Sequence, residues 1–229
     1  MSYILILETS TEVCSVCVID KEQIISTVES LESFQHTAKL TIQIEQALSE
    51  AQIAISDLSA VAISSGPGSY TGLRVGSSTA KGICFAQDIP LISLNSLKGL
   101  SYVKHDLVPN ANNYIISMID ARRDEVYASV YDPHHHVLEP GKPVILDEHS
   151  FKRYRQGNAF WHLSGNGATK AKDLLKFKNI RISSHKTSAT YFYQMAKNAL
   201  LRENFEDMAY FSPTYYKPPN ITISNKPLI

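Results

Sequence analysis

Two apolar runs open the chain, Tyr3–Leu7 and Val13–Ile19, with the polar stretch Glu8-Thr9-Ser10-Thr11-Glu12 between them. Short runs rich in branched residues and bounded by polar turns predict strands. A second turn at Asp20-Lys21-Glu22 leads into Gln23–Glu29, so three strands follow closely, as in an antiparallel meander. From about Phe34 the period lengthens to that of a helix and holds to about Ala51. This helix is apolar on two sides. Leu40, Ile44, Ala47, Leu48 and Ala51 form one stripe; Phe34, Ala38 and Ile42 form another on roughly the opposite face. The first suits the chain's own sheet. The second needs another neighbour, either within the same domain or on a partner.

Ser59–Ser65 reads as a buried strand, Gly66-Pro67-Gly68-Ser69-Tyr70 as a loop, and Thr71–Gln87 as a helix. On that helix Gly72, Gly76, Ala80 and Cys84 recur every four residues, while Arg74, Ser78 and Lys81 lie on a polar face. Mid-helix glycine costs about 1 kcal/mol relative to alanine, so close packing or function must offset it. A stripe of small side chains lets another helix approach closely. A strand at Leu91–Leu94 and a helix at Ser96–Lys104 close the first unit.

After the loop His105–Asn113 the pattern restarts, with strands at Tyr114–Ile119, Glu125–Tyr131 and Pro143–Leu146. Helices are expected at Asp147–Arg155 and Ala168–Phe177 around a strand at Phe160–Ser164, with a longer helix at Ser188–Leu201. From Tyr210 the chain is rich in Pro, Tyr and Asn and reads as irregular. The two similar runs predict two α/β lobes with mixed sheets, residues 1–104 and 105–229.

Charge narrows the function. Lys plus Arg equals Asp plus Glu at 22 each, so the chain lacks the basic excess of a protein that grips nucleic acid by itself. No apolar stretch approaches the ~20 residues of a membrane span, the first residues do not read as a signal peptide, and three cysteines suit a reducing compartment. A cytoplasmic location is the expectation. Cys14 and Cys17 form a C-x-x-C, but residues three apart on a strand point to opposite faces and cannot easily share a metal. His134-His135-His136 follows a turn and reads as an exposed loop rather than a metal site.

Three segments carry a family resemblance. Ile6-Leu7-Glu8-Thr9-Ser10 resembles the phosphate-facing turn of actin-like ATPases. Ser65-Gly66-Pro67-Gly68-Ser69-Tyr70-Thr71-Gly72-Leu73-Arg74-Val75-Gly76, with Ala80-Lys81-Gly82 beyond it, is similar to the TsaB (YeaZ) signature. Asp120-Ala121-Arg122-Arg123-Asp124-Glu125-Val126-Tyr127 resembles the hairpin of the same family, and Ser212–Lys217 echoes its ending with departures at Tyr216 and Lys217. The resemblance implies a two-lobed actin-like (ribonuclease H-like) α/β fold. It also implies a non-catalytic, activating and dimerizing subunit for tRNA threonylcarbamoyladenosine formation.

The implied partners are the catalytic paralogue TsaD and the further component TsaE. tRNA would be met only through the complex, ATP would be used by the complex, and the lone protein could form a homodimer. TsaD-type enzymes present His-x-x-x-His on the first long helix; here His36 is followed by Leu40, so no metal is expected. Exposed polar placement of His36 is the bland alternative. Glu8, Thr9 and Ser10 with Gly66 and Gly68 are the weak candidates for nucleotide contact, since backbone N–H groups before a helix favour phosphate. Phe34, Ala38 and Ile42, with Gly72, Gly76, Ala80 and Cys84, are the expected partner interface. Asp120, Arg122 and Arg123 are left without a role. A stand-alone ATPase or metallopeptidase-like enzyme is the alternative class.

Overall fold

The computed structural model describes residues 2–30, 36–183 and 185–218. Strands β1 (Tyr3–Glu8), β2 (Cys14–Ile19) and β3 (Ile24–Ser30) form the antiparallel meander. Helix α1 (His36–Glu50) follows; Phe34 lies outside the described residues. Strand β4 (Leu58–Gly66), helix α2 (Tyr70–Gln87), strand β5 (Leu91–Asn95) and helix α3 (Ser96–Ser101) complete the first unit. The strands join in the order β3-β2-β1-β4-β5, with β1, β4 and β5 parallel.

The second sheet repeats this plan. Strands β6 (Asn112–Asp120), β7 (Glu125–Tyr131) and β8 (Val137–Ile145) form a meander. Strand β9 (Ala159–Ser164), helix α4 (Ala168–Leu174) and strand β10 (Ile180–Ile182) then give the order β10-β9-β6-β7-β8. Strand β10 escaped the sequence reading because three residues carry too little alternation to register.

Helix α5 (Tyr193–Leu201) revises the second half of the lobe division. Sheets change between β5 and β6, yet residues from Ala189 onward return to the first sheet. Phe192, Ala196 and Ala199 pack on Ile4, Ile6, Ala60, Ala62, Ile92 and Leu94. The reason lies in β1 and β4, which bury side chains on both faces. Alpha helices α1 and α2 cover one face through Leu40, Ile44, Ala47, Leu48, Ala80 and Cys84, so the other needs a cover too. A 3-10 turn at Ala189–Phe192 precedes α5 where one continuous helix from Ser188 was expected.

Asp147–Arg155 is likewise not a helix; only Lys152–Tyr154 makes a 3-10 turn. Asp147 Oδ1 accepts from His149 N at 2.9 Å and from Ser150 Oγ at 2.8 Å, and Phe151 sits at φ +58°. Such local side-chain bonds compete with helical ones, and a left-handed residue ends what remains. Cys14 faces the α1/α2 core and Cys17 the α5 core, so the C-x-x-C pair is split across the sheet. Burial pushes the Cys14 thiol up to about 12 and the Cys17 thiol higher still. Neither thiol has nucleophilic character there.

Candidate functional site

The two glycine- and hydroxyl-rich loops predicted from sequence do meet. β1 ends at Glu8, β4 ends at Gly66, and the two strands are adjacent and parallel, which brings both loops to the same end of the sheet. Ser69 N donates to Ser10 O at 2.7 Å, and Thr9 N donates to Ser64 Oγ at 3.2 Å. A methyl group on Gly68 would collide with the Ser10 carbonyl. Ser69 caps α2, its hydroxyl accepting from Gly72 N at 3.2 Å.

This junction is sealed. Glu8, Thr9 and Ser10 have no exposed surface. Glu8 Oε1 accepts from Ser10 N at 2.6 Å and from Ser10 Oγ at 2.5 Å, so the groups that could hold a phosphate are turned on one another. Burial raises the Glu8 carboxyl to about 7, against the lowering effect of the Ser10 bonds. Glu8 Oε2, Thr9 Oγ1 and Ser77 Oγ are buried without a hydrogen-bond partner among the described residues. The β1–β2 turn also reaches the second lobe: Asn166 Nδ2 donates to Glu12 Oε2 at 2.7 Å, and Thr11 pairs with Thr187.

Helix α2 corrects one expectation. Gly72, Gly76, Ala80 and Cys84 all face inward. A methyl on Gly72 would strike the Thr9 carbonyl, and one on Gly76 would strike Thr9 Oγ1 and lie 2.8 Å from Ile63 Cδ1. Ala80 and Cys84 belong to the core against the first sheet. Close approach is therefore made to the chain's own β1 and β4, and the stripe has no surface to offer a partner helix.

What α1 and α2 turn outward is different. Ala38 is exposed and Ile42 is 62% exposed, while Leu40 and Ile44 beside them are buried. On α2 the outer row is Arg74, Ser78, Gly82 and Phe85, the last 81% exposed. A side chain on Gly82 would meet nothing within 4 Å. α1 and α2 also contact each other, and Ile42 lines a cleft with Val28 and Glu29 of β3. Periodicity missed Gly82 and Phe85; the sign available in the sequence was the third glycine, off the every-fourth-residue stripe.

Backbone positions place His36 in the first turn of α1 and Leu40 in the core one turn later. In the triple histidine, Asp132 Oδ1 accepts from His134 N and His136 N, each at 2.8 Å, and His135 stacks on Tyr102 at 4.1 Å. Among the described residues no three His, Cys, Asp or Glu side chains are arranged to hold a metal, and no helix is long and apolar enough to cross a membrane.

A duplicated meander with parallel crossovers in two lobes, joined where the β1–β2 turn meets Asn166 beyond β9, defines an actin-like α/β protein. Residues 28–225 match the family model described as TsaD, tRNA N6-adenosine threonylcarbamoyltransferase. The tRNA threonylcarbamoyladenosine biosynthesis protein TsaB of Haemophilus influenzae is 33% identical over 126 residues, 55% of this chain and 52% of that protein. The Escherichia coli protein of the same name is 28% identical over 167 residues, 72% of this chain and 71% of that one. The matched stretch thus spans 52% to 71% of these relatives. YeaZ from Pseudomonas aeruginosa superposes with a TM-score of 0.78 at 25% identity, covering 94% of this chain and all of that one. The chain belongs to the TsaD-type family, in its TsaB (YeaZ) branch.

Proposed function

We propose that this chain is the non-catalytic activating subunit of a tRNA threonylcarbamoyladenosine-forming complex, and that it pairs with a TsaD-type transferase through the outer face of α1 and α2. One observation carries the proposal: Ile42 and Phe85 stand exposed on adjoining helices, beside a mid-helix glycine for which the fold itself has no use. Exposed apolar side chains on two packed helices are the surface that a partner's helices would cover. The occupant is the TsaD paralogue because the same family supplies both proteins, and matched folds can pair helix against helix about a pseudo-twofold axis. A homodimer of the lone protein would use the same face.

The chain brings no metal or nucleotide of its own in this reading, and ATP is used by the complex, with TsaE as a further component. Support comes from the sealed Glu8–Ser10 junction, where the Ser10 N–H and hydroxyl are both spent on Glu8. A hydrolase built on this junction would need its acid open to substrate, and Glu8 has no exposed surface. The complex would work in the cytoplasm.

The test is threonylcarbamoyl transfer to tRNA with synthase, TsaD, TsaE, ATP, threonine and bicarbonate, with and without this chain. Transfer that depends on the chain and is lost with Phe85→Asp or Ile42→Asp supports the reading. Full transfer without the chain refutes it.

A further inference from the structure

The corner between β6 and β7 is built at a cost. Arg122 and Arg123 have φ of +72° and +50°. Left-handed backbone costs a residue with a Cβ about 1–2 kcal/mol, which is why Asn-Gly and Asp-Gly dominate tight hairpin corners. Two arginines forgo that stability, yet the corner is held firmly. Asp120 Oδ1 accepts from Arg122 N at 2.6 Å and from Lys170 Nζ at 2.7 Å. Lys170 Nζ also donates to Arg123 O at 2.6 Å and Glu125 O at 3.1 Å, and Asn166 Oδ1 accepts from Asp120 N at 2.9 Å.

Both arginine side chains are exposed, and among the described residues no ion pair uses either guanidinium. The nearby acids are mostly engaged: Asp120 with Lys170 and Glu125 with Lys217, leaving the exposed Asp124. Strain kept at an exposed, braced, cationic corner points to a ligand rather than to folding.

The C-terminal segment extends this surface to α2. Thr214 N donates to Ser65 O at 2.7 Å, which docks the segment at the end of β4. The Tyr215 ring lies 5.1 Å from that of Tyr70, and the Arg74 guanidinium sits 4.7 Å over the Tyr70 ring. Tyr70 and Tyr215 remain 39% and 38% exposed. Two residues on, Lys217 reaches Glu125 beside the arginine corner. The C-terminal segment thus runs from the partly exposed rings at the start of α2 to Glu125 beside the hairpin.

We propose that Arg74, Tyr70, Tyr215, Arg122 and Arg123 form a contact surface for single-stranded RNA, with Lys217 neutralising Glu125 beside it. Guanidinium groups bind phosphate oxygens in pairs, and exposed rings offer a stacking face to an unpaired base. An acidic peptide would use the cations but not the tyrosine faces, which is why RNA is the better fit. Zero net charge makes the grip of this surface weak and salt-sensitive when the chain is alone. That the RNA is the tRNA of the pathway rests on the functional reading above; the contact itself is tested without it.

The full chain is titrated into a fluorescently labelled RNA stem-loop with an unpaired loop, at low and at physiological salt, and anisotropy is read. Arg122→Asn with Arg123→Gly should weaken binding roughly tenfold and flatten the salt slope by about 1.4, the value for two phosphate contacts on a single strand. The same variant should melt no lower than the parent, because the corner relaxes; a merely structural role for the arginines would lower it. Tyr70→Leu with Tyr215→Leu should weaken binding with the salt slope unchanged. Undiminished RNA binding by the arginine variant, no binding by the parent at low salt, or equal competition by poly-glutamate would overturn the proposal. RNA binding in a chain that proves dispensable for transfer would uphold this surface and refute the pathway reading.

Discussion

Two glycines on one helix should respond to alanine with opposite signs. At Gly76 the added methyl falls against Thr9 Oγ1 and Ile63 Cδ1, and both of those residues are fully buried. Overpacking a closed core costs about 1–3 kcal/mol, and the gain in helix propensity returns about 1 kcal/mol. A net loss of up to about 2 kcal/mol is expected for Gly76→Ala. At Gly82 the methyl meets open space, so only the propensity gain of about 1 kcal/mol remains. In a chain of 229 residues each kcal/mol moves the melting temperature by about 2–4 °C. Thermal and urea unfolding followed by far-ultraviolet circular dichroism would read both variants beside the parent. If Gly76→Ala melted at or above Gly82→Ala, the inward placement of the α2 stripe would be wrong.

Other outcomes follow from the same contacts. Leu40→Ala should cost about 2–5 kcal/mol while Ile42→Ala, two residues away, should leave urea stability within about 0.5 kcal/mol, since only the first fills core. Glu8 binds its proton up to about pH 7 when folded but releases it near 4.5 when unfolded. Its stabilising contribution is full below the lower value and lost as pH rises to the upper one, a swing of about 3 kcal/mol. Stability of Glu8→Gln relative to the parent should therefore grow from pH 4.5 to 7 and level off above it; a flat difference would contradict the buried acid. His105 behaves in the opposite sense: burial and neighbouring histidines lower it to about 4, so its contribution is complete above pH 6.5 and lost towards pH 4. His105→Phe should flatten that acid limb in pH-dependent melting.

Much of this molecule was legible along the chain, because it depends on local period. Near-continuous apolar runs in β1, β2 and β4 announce strands buried on both faces, and the two-residue period of a strand sends Cys14 and Cys17 to opposite cores. The meander, the loop Gly66–Tyr70 and the two rows of α1 are likewise local. Direction was not legible. A row of glycines on α2 permits close approach by any neighbour, and only the packed sheet decides that the neighbour is Thr9 and Ile63. The same holds for α5, whose amphipathic face does not specify which of two sheets it covers, and for Asp147, whose turn bonds defeat a helical pattern. Sealing of Glu8–Ser10, the packing of Tyr215 on Tyr70 and the pairing of Lys217 with Glu125 all join residues far apart in sequence. Sequence determined what each segment could form, since propensity and periodicity act over a few residues. Which side chains remained open to a partner was decided by tertiary packing, because burial belongs to the assembled sheets and helices.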